Sequence, residues 1–151
     1  MGGYGALVNG LKYYQTFGYI AILSAALSIE TYPKATDGKE VRYHMKRSYL
    51  ESVSGNLDKL EGSDKDYKAL ALKIEPKQMP KIYMACGIDD FLIENNRQYR
   101  DFLIDHNIVV TYEEGPGAHE WDFWDRYIYR VLQWLPLNDK NSGISSGNVD
   151  L

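Results

Sequence analysis

Residues 114–124 read Glu-Gly-Pro-Gly-Ala-His-Glu-Trp-Asp-Phe-Trp and place one histidine, His119, between an apolar extended run and a closing amphipathic run. Gly-Pro-Gly constrains the backbone of such a loop while the imidazole stays reachable, which suits a general base. Alone, a loop histidine is more often a surface group than a catalytic one. A second stretch, Met-Ala-Cys-Gly-Ile-Asp-Asp at 84–90, adds two acids, Asp89 and Asp90, just past an apolar run. In an open α/β sheet the loops at the carboxyl ends of parallel strands line the ligand crevice. An acid after one strand and a histidine after the next are then neighbours, and a His–carboxylate pair can take a proton from a nucleophile.

The elements that must position these groups read as follows. Residues 6–14 form a short helix, ended by Thr16-Phe17-Gly18. Residues 19–27 are continuously apolar with small side chains, the pattern of a strand covered on both faces, with a helical segment as the competing reading. Polar composition with Pro33 and Asp37-Gly38 makes 28–41 a surface loop, and 44–60 is a mixed excursion broken at Ser54-Gly55-Asn56. Ser63 is expected to cap a helix at 64–74, which Pro76 and Pro80 stop. A second buried strand falls at 81–85, ended by Gly87. Residues 92–106 carry Leu92, Tyr99, Phe102 and Leu103 on one helical face, and Asn107 stops the helix. The β-branched run at 108–112 is the clearest strand. A last helix at 124–135 puts Trp124, Tyr127, Ile128, Val131 and Leu135 on one stripe, with Pro136 behind it. Strand, helix, strand implies parallel pairing. Residues 1–137 are read as one domain and 138–151, rich in Asn, Ser and Gly, as a flexible tail.

Composition narrows the class. The chain has 151 residues, 44% apolar and 25% charged, with a net charge of −4, which argues against a nucleic-acid or acidic-membrane partner. Cys86 is the single cysteine, so no disulfide framework or cysteine metal cluster can form, and a reducing, cytoplasmic setting is expected. The longest apolar run is too short to span a bilayer. His44, His106 and His119 are too scattered for a zinc signature, so neither metal nor organic cofactor is expected.

The order of elements, with Gly87-Ile88-Asp89-Asp90-Phe91-Leu92 and Gly115-Pro116-Gly117-Ala118-His119-Glu120-Trp121, resembles the carboxyl-terminal half of the esterase D branch of α/β-hydrolases. That branch includes tributyrin esterases, S-formylglutathione hydrolases, and acetyl-xylan and feruloyl esterases. The opening Met1-Gly2-Gly3-Tyr4-Gly5 resembles the end of that family's nucleophile elbow, Gly-x-Ser-Met-Gly-Gly, in which the serine stands directly before the methionine. The resemblance covers the chain to Leu137 and implies an α/β fold, a partial α/β-hydrolase with about three parallel strands and flanking helices. It implies His119 as general base, Asp90 as the acid orienting it, with Asp89 the alternative, and the Met1 backbone as one oxyanion donor. Met1 also reads simply as a start methionine whose nitrogen is a free amine. Trp121 and Trp124 are expected to pack the last helix rather than touch substrate, and Cys86 to be a buried strand residue.

Ser24, Ser28 and Ser54 lack the Gly-x-Ser-x-Gly context. The expectation is therefore a piece of a serine esterase for short-chain acyl esters or thioesters, close to inactive alone because its nucleophile is missing. The alternative is a non-catalytic remnant serving as an interaction module. In either case the strand at 19–27 would present an open edge, available to a second copy of the chain or to an amino-terminal fragment.

Overall fold

The computed structural model describes residues 1–137; the expected tail at 138–151 and the side chain of His44 lie outside the described residues. Helix α1 (Gly2–Lys12) leads into strand β1 (Tyr19–Leu23). Helices α2 (Arg47–Ser54) and α3 (Tyr67–Lys73) follow, then strand β2 (Lys81–Gly87), helix α4 (Ile93–Asp105), strand β3 (Val110–Gly115) and helix α5 (Trp121–Trp134). The strands form one sheet in the order β1-β2-β3, both pairs parallel, with Ile22 beside Met84 and Met84 beside Tyr112. This is the expected partial α/β-hydrolase architecture.

Central β2 explains why its sequence is unbroken apolar rather than alternating. Ile82 and Met84 point into a core with Leu7 and Leu11 of α1, Tyr67 of α3, and Tyr99 and Leu103 of α4. Tyr83 and Ala85 point the other way, onto Phe123, Tyr127 and Val131 of α5. A strand buried on both faces needs apolar residues at every position. Glycine brings α1 onto the sheet: a Cβ at Gly3 would stand 2.9 Å from the Ala25 Cα. Gly2, Gly3 and Gly5 lie within α1, which starts four residues before the expected 6–14.

Several boundaries differ from the sequence reading. Strand β1 stops at Leu23 because Ser24 turns into the left-handed region at φ 47°, where a strand cannot continue. Residues 28–41 are not only surface loop: a 3₁₀ turn at Ile29–Lys34 buries Ile29 and Tyr32. The excursion at 44–60 is ordered by Leu50, Leu57 and Leu60, which join the same core one or two at a time and so leave no long period to detect. Helix α3 is capped by Asp66, not Ser63. The Asp66 carboxylate accepts from the Lys68 and Ala69 amides at 3.0 and 3.1 Å, while the Ser63 hydroxyl accepts from Lys65 N in the preceding turn. Asn107 does end α4, at φ 58°.

Two helical faces keep most of their expected residues and differ at single positions. In α5 the buried residues are Phe123, Tyr127 and Val131, an i, i+4, i+8 stripe, and Ile128 faces solvent. This helix is apolar at so many positions that two neighbouring stripes fit its sequence. In α4, Asn96 is fully buried between Tyr99 and the sheet end, its amide donating to the carbonyls of Ala25 and Leu92 at 2.9 and 2.8 Å.

Candidate active site

Two loops meet at the carboxyl ends of β2 and β3. The β2 loop is laced to the β3 loop through backbone bonds, Ile88 N to Gly115 O at 2.9 Å and Asp89 N to Gly117 O at 3.1 Å. Gly87 allows this approach, because a Cβ there would lie 2.7 Å from the Gly117 carbonyl carbon and nearer still to its oxygen. Gly117 itself sits at φ 133°, a conformation that side chains rarely adopt. The Arg126 guanidinium donates to Pro116 O at 2.8 Å, and Ala118 N donates to the Glu120 carboxylate at 3.0 Å, so the loop is tied at both ends.

This lacing brings His119 over Asp90. Asp90 is 2% exposed; one carboxylate oxygen accepts from Leu92 N at 2.9 Å and the other meets His119 Nδ1 at 2.9 Å. A carboxylate only accepts, so the neutral ring donates from Nδ1 and carries its lone pair on Nε2. The His119 side chain is 31% exposed. A buried, fully bonded acid holding a partly open imidazole in one tautomer can support proton abstraction at Nε2. Asp89, the alternative, faces solvent and among the described residues bonds through its backbone only.

The base of the His loop is pinned by charge. Glu114, at the end of β3, accepts two bonds from the Arg97 guanidinium of α4 at 2.8 and 2.7 Å and one from the Tyr112 hydroxyl at 2.8 Å. The Arg97 bonds, with Tyr112 assisting, hold the Glu114 carboxyl down at about 2.

Other groups considered from sequence fall elsewhere. Cys86 is buried, and burial first, then the neighbouring Asp90 charge, push its thiol up to about 12, so it stays protonated near neutrality and is a strand residue, not a nucleophile. The Ser24 hydroxyl is also buried, unavailable to a substrate. Met1 is exposed at the start of α1, its carbonyl accepting from Gly5 N, and among the described residues it makes no hydrogen bond to His119 or Asp90.

The aromatic surroundings differ from the sequence reading. Trp124 is partly buried and meets the His119 ring edge-on at 4.9 Å between centroids. Trp121 is 80% exposed and meets α5 edge-on at Trp124, 5.3 Å between ring centroids. It is the first residue of the helix, where the loop geometry and not the helical stripe sets its direction. Phe91, not singled out from sequence, stands 77% exposed with its ring 5.0 Å from that of His119. Its position one residue after Asp90 was the available signal.

No family model matches the chain. It is 46% identical over 140 residues to an acetyl esterase of Caldicellulosiruptor saccharolyticus, a match covering 89% of this chain and 51% of that protein. Among solved structures, an S-formylglutathione hydrolase of Staphylococcus aureus aligns at TM-score 0.70 and 31% identity, over 89% of this chain and 50% of the other. A fluorophosphonate-binding serine hydrolase of Staphylococcus aureus, solved with substrate bound, aligns at TM-score 0.71 and 30% identity, over 88% of this chain and 50% of the other. The chain thus spans about half the length of the relatives it matches.

Proposed function

From the premise that this chain is related to the esterase-like α/β-hydrolases, corresponding to about half of one, we propose that it supplies the base and acid of a serine esterase for short acyl esters or thioesters. The observation that carries the reading is the bond between His119 Nδ1 and the buried Asp90 carboxylate at 2.9 Å, with the ring open to solvent. In the reaction, His119 Nε2 takes the proton of a serine hydroxyl as the oxygen attacks the acyl carbon. The resulting imidazolium, stabilised by Asp90, returns that proton to the departing alcohol or thiol. Water then hydrolyses the acyl-enzyme by the same proton path. The named acetyl esterase and S-formylglutathione hydrolase favour a one- or two-carbon acyl group.

The serine is expected from a segment ahead of Met1, as the resemblance to Gly-x-Ser-Met-Gly-Gly implies, since no described hydroxyl bonds to His119 Nε2. Without it a His–Asp pair has nothing to activate, and the isolated chain should be almost inactive. The 151-residue chain should hydrolyse p-nitrophenyl acetate no faster than its His119→Ala variant. A chain extended by a Gly-x-Ser segment should turn over, and there His119→Ala or Asp90→Asn should lower kcat by roughly 10⁴-fold. Turnover by the extended chain that survives His119→Ala would refute the reading.

A second observation favours assembly. Strand β1 ends the sheet among the described residues, with Tyr19 exposed and Ala21 and Leu23 only partly covered. Such an edge takes up a further strand, from another copy or a serine-bearing segment. A monomer by light scattering, unchanged on adding that segment, would count against it.

A further inference from the structure

We propose that Phe91 and Trp121 form the wall against which the leaving group rests, and that they select a neutral aromatic alcohol. The inference rests on the esterase reading for which oxygen departs, but the wall itself is a feature of this chain. The base that accepts the nucleophile's proton must return it to the leaving oxygen, so that oxygen comes within hydrogen-bond reach, about 3 Å, of His119 Nε2. The opposite side of the ring is closed by Asp90 at Nδ1, and Trp124 closes one edge. Beside the imidazole stand Phe91, 5.0 Å from the ring, and Trp124, whose surface Trp121 extends outward into solvent.

Large aromatic side chains normally bury most of their area. Here two of them stand 77% and 80% exposed, one on each loop that carries a member of the His–Asp pair. Their faces offer offset or edge-on stacking to a flat apolar group, which an alkyl or small alcohol satisfies less well. Charge selects further. Among the described residues, Asp89, Glu120 and Asp122 are exposed next in sequence to the two aromatics, and the cation Arg126 is engaged with the Pro116 and Asp122 carbonyls. A rim with three carboxylates against one arginine disfavours an anionic leaving group such as a peptidyl thiol with free carboxylates.

The test needs no turnover. The 151-residue chain is titrated with benzyl alcohol, with cyclohexylmethanol and with glutathione, following the His119 ring and Trp121 indole signals by NMR. Benzyl alcohol should shift both, bind more tightly than cyclohexylmethanol, and lose about fivefold in affinity in Phe91→Ala and in Trp121→Ala. Both substitutions remove exposed side chains, so the fold should be retained, and unchanged signals from buried Tyr67 and Tyr99 check this. If benzyl alcohol leaves the His119 signals unmoved, binds equally well to both variants, or binds more weakly than glutathione, the proposal fails. If it binds as expected while a serine-extended chain shows no His119-dependent hydrolysis, the esterase reading fails and the aromatic subsite stands.

Discussion

Replacing Gly87 with alanine tests whether the site is assembled by contact between two loops. A Cβ at residue 87 would lie 2.7 Å from the Gly117 carbonyl carbon, where ordinary contact begins at 3.4 Å. The partner is backbone, so no rotamer change relieves it, and because the Gly117 carbonyl oxygen lies nearer still the loops must part by about 1.3 Å. That displacement takes the Ile88–Gly115 bond from 2.9 Å and the Asp89–Gly117 bond from 3.1 Å to beyond hydrogen-bonding distance. Each is worth about 1 kcal/mol net, so with residual strain the loss is roughly 2–4 kcal/mol. At a urea slope of about 2 kcal/mol per molar, the unfolding midpoint should fall by roughly 1–2 M. The same parting separates His119 Nδ1 from Asp90, and the downfield Nδ1–H resonance should broaden or vanish. Gly5→Ala is the control. That glycine lies in α1, an added Cβ there would meet nothing within 4 Å, and alanine should stabilise by about 0.5–1 kcal/mol. A Gly87→Ala protein with an unchanged midpoint and an intact Nδ1–H signal would refute the account of the laced loops.

Three further outcomes follow from the structure. Glu114 is held at about 2 in the folded chain against an ordinary 4.5, so its stabilising effect is full above 4.5 and disappears as pH falls toward 2. Allowing for solvent screening, Glu114→Gln should cost about 1–2 kcal/mol at pH 7 and almost nothing near pH 2, and a pH-independent difference in urea unfolding would contradict this. Cys86, pushed up to about 12 from an ordinary 9, should react with a thiol-specific disulfide reagent about 10³-fold more slowly in the folded chain than in urea; rapid labelling of native protein would overturn its burial. Asp66→Ala removes the cap of α3 and should destabilise by about 1 kcal/mol, whereas Ser63→Ala should change stability by less than half of that, and the reverse order would restore Ser63 as the cap.

Much of the site could be read before the fold was known, because it is local. The Gly-Pro-Gly-Ala-His loop and the Gly-Ile-Asp-Asp turn each carry their meaning within a few residues. Parallel strands place such turns at one end of a sheet. The residues that were missed or misread act across distance. Asn96 was not singled out, because an asparagine carries no apolar signal; its amide bond to Ala25, 71 residues away, accompanies its burial. Trp121 reads as a packing residue of the last helix, yet it stands at the first turn with most of its surface in solvent.

Apolar strands alternating with amphipathic helices, the parallel sheet this requires, and a histidine and an acid on successive loops are all legible in the order of residues. Period and turn chemistry are short-range properties, and they survive without tertiary contacts. Only the folded chain sets Asp90, and not Asp89, against the His119 ring, since adjacent residues differ only in which way the turn sends them. Tertiary packing also sets which stripe of α5 is buried, how the leucines of 50–60 reach the core, and that Phe91 stands in solvent beside the imidazole while Trp121 stands in solvent against Trp124. Each of these depends on where a second segment, distant in the chain, comes to rest, and no local pattern carries that position.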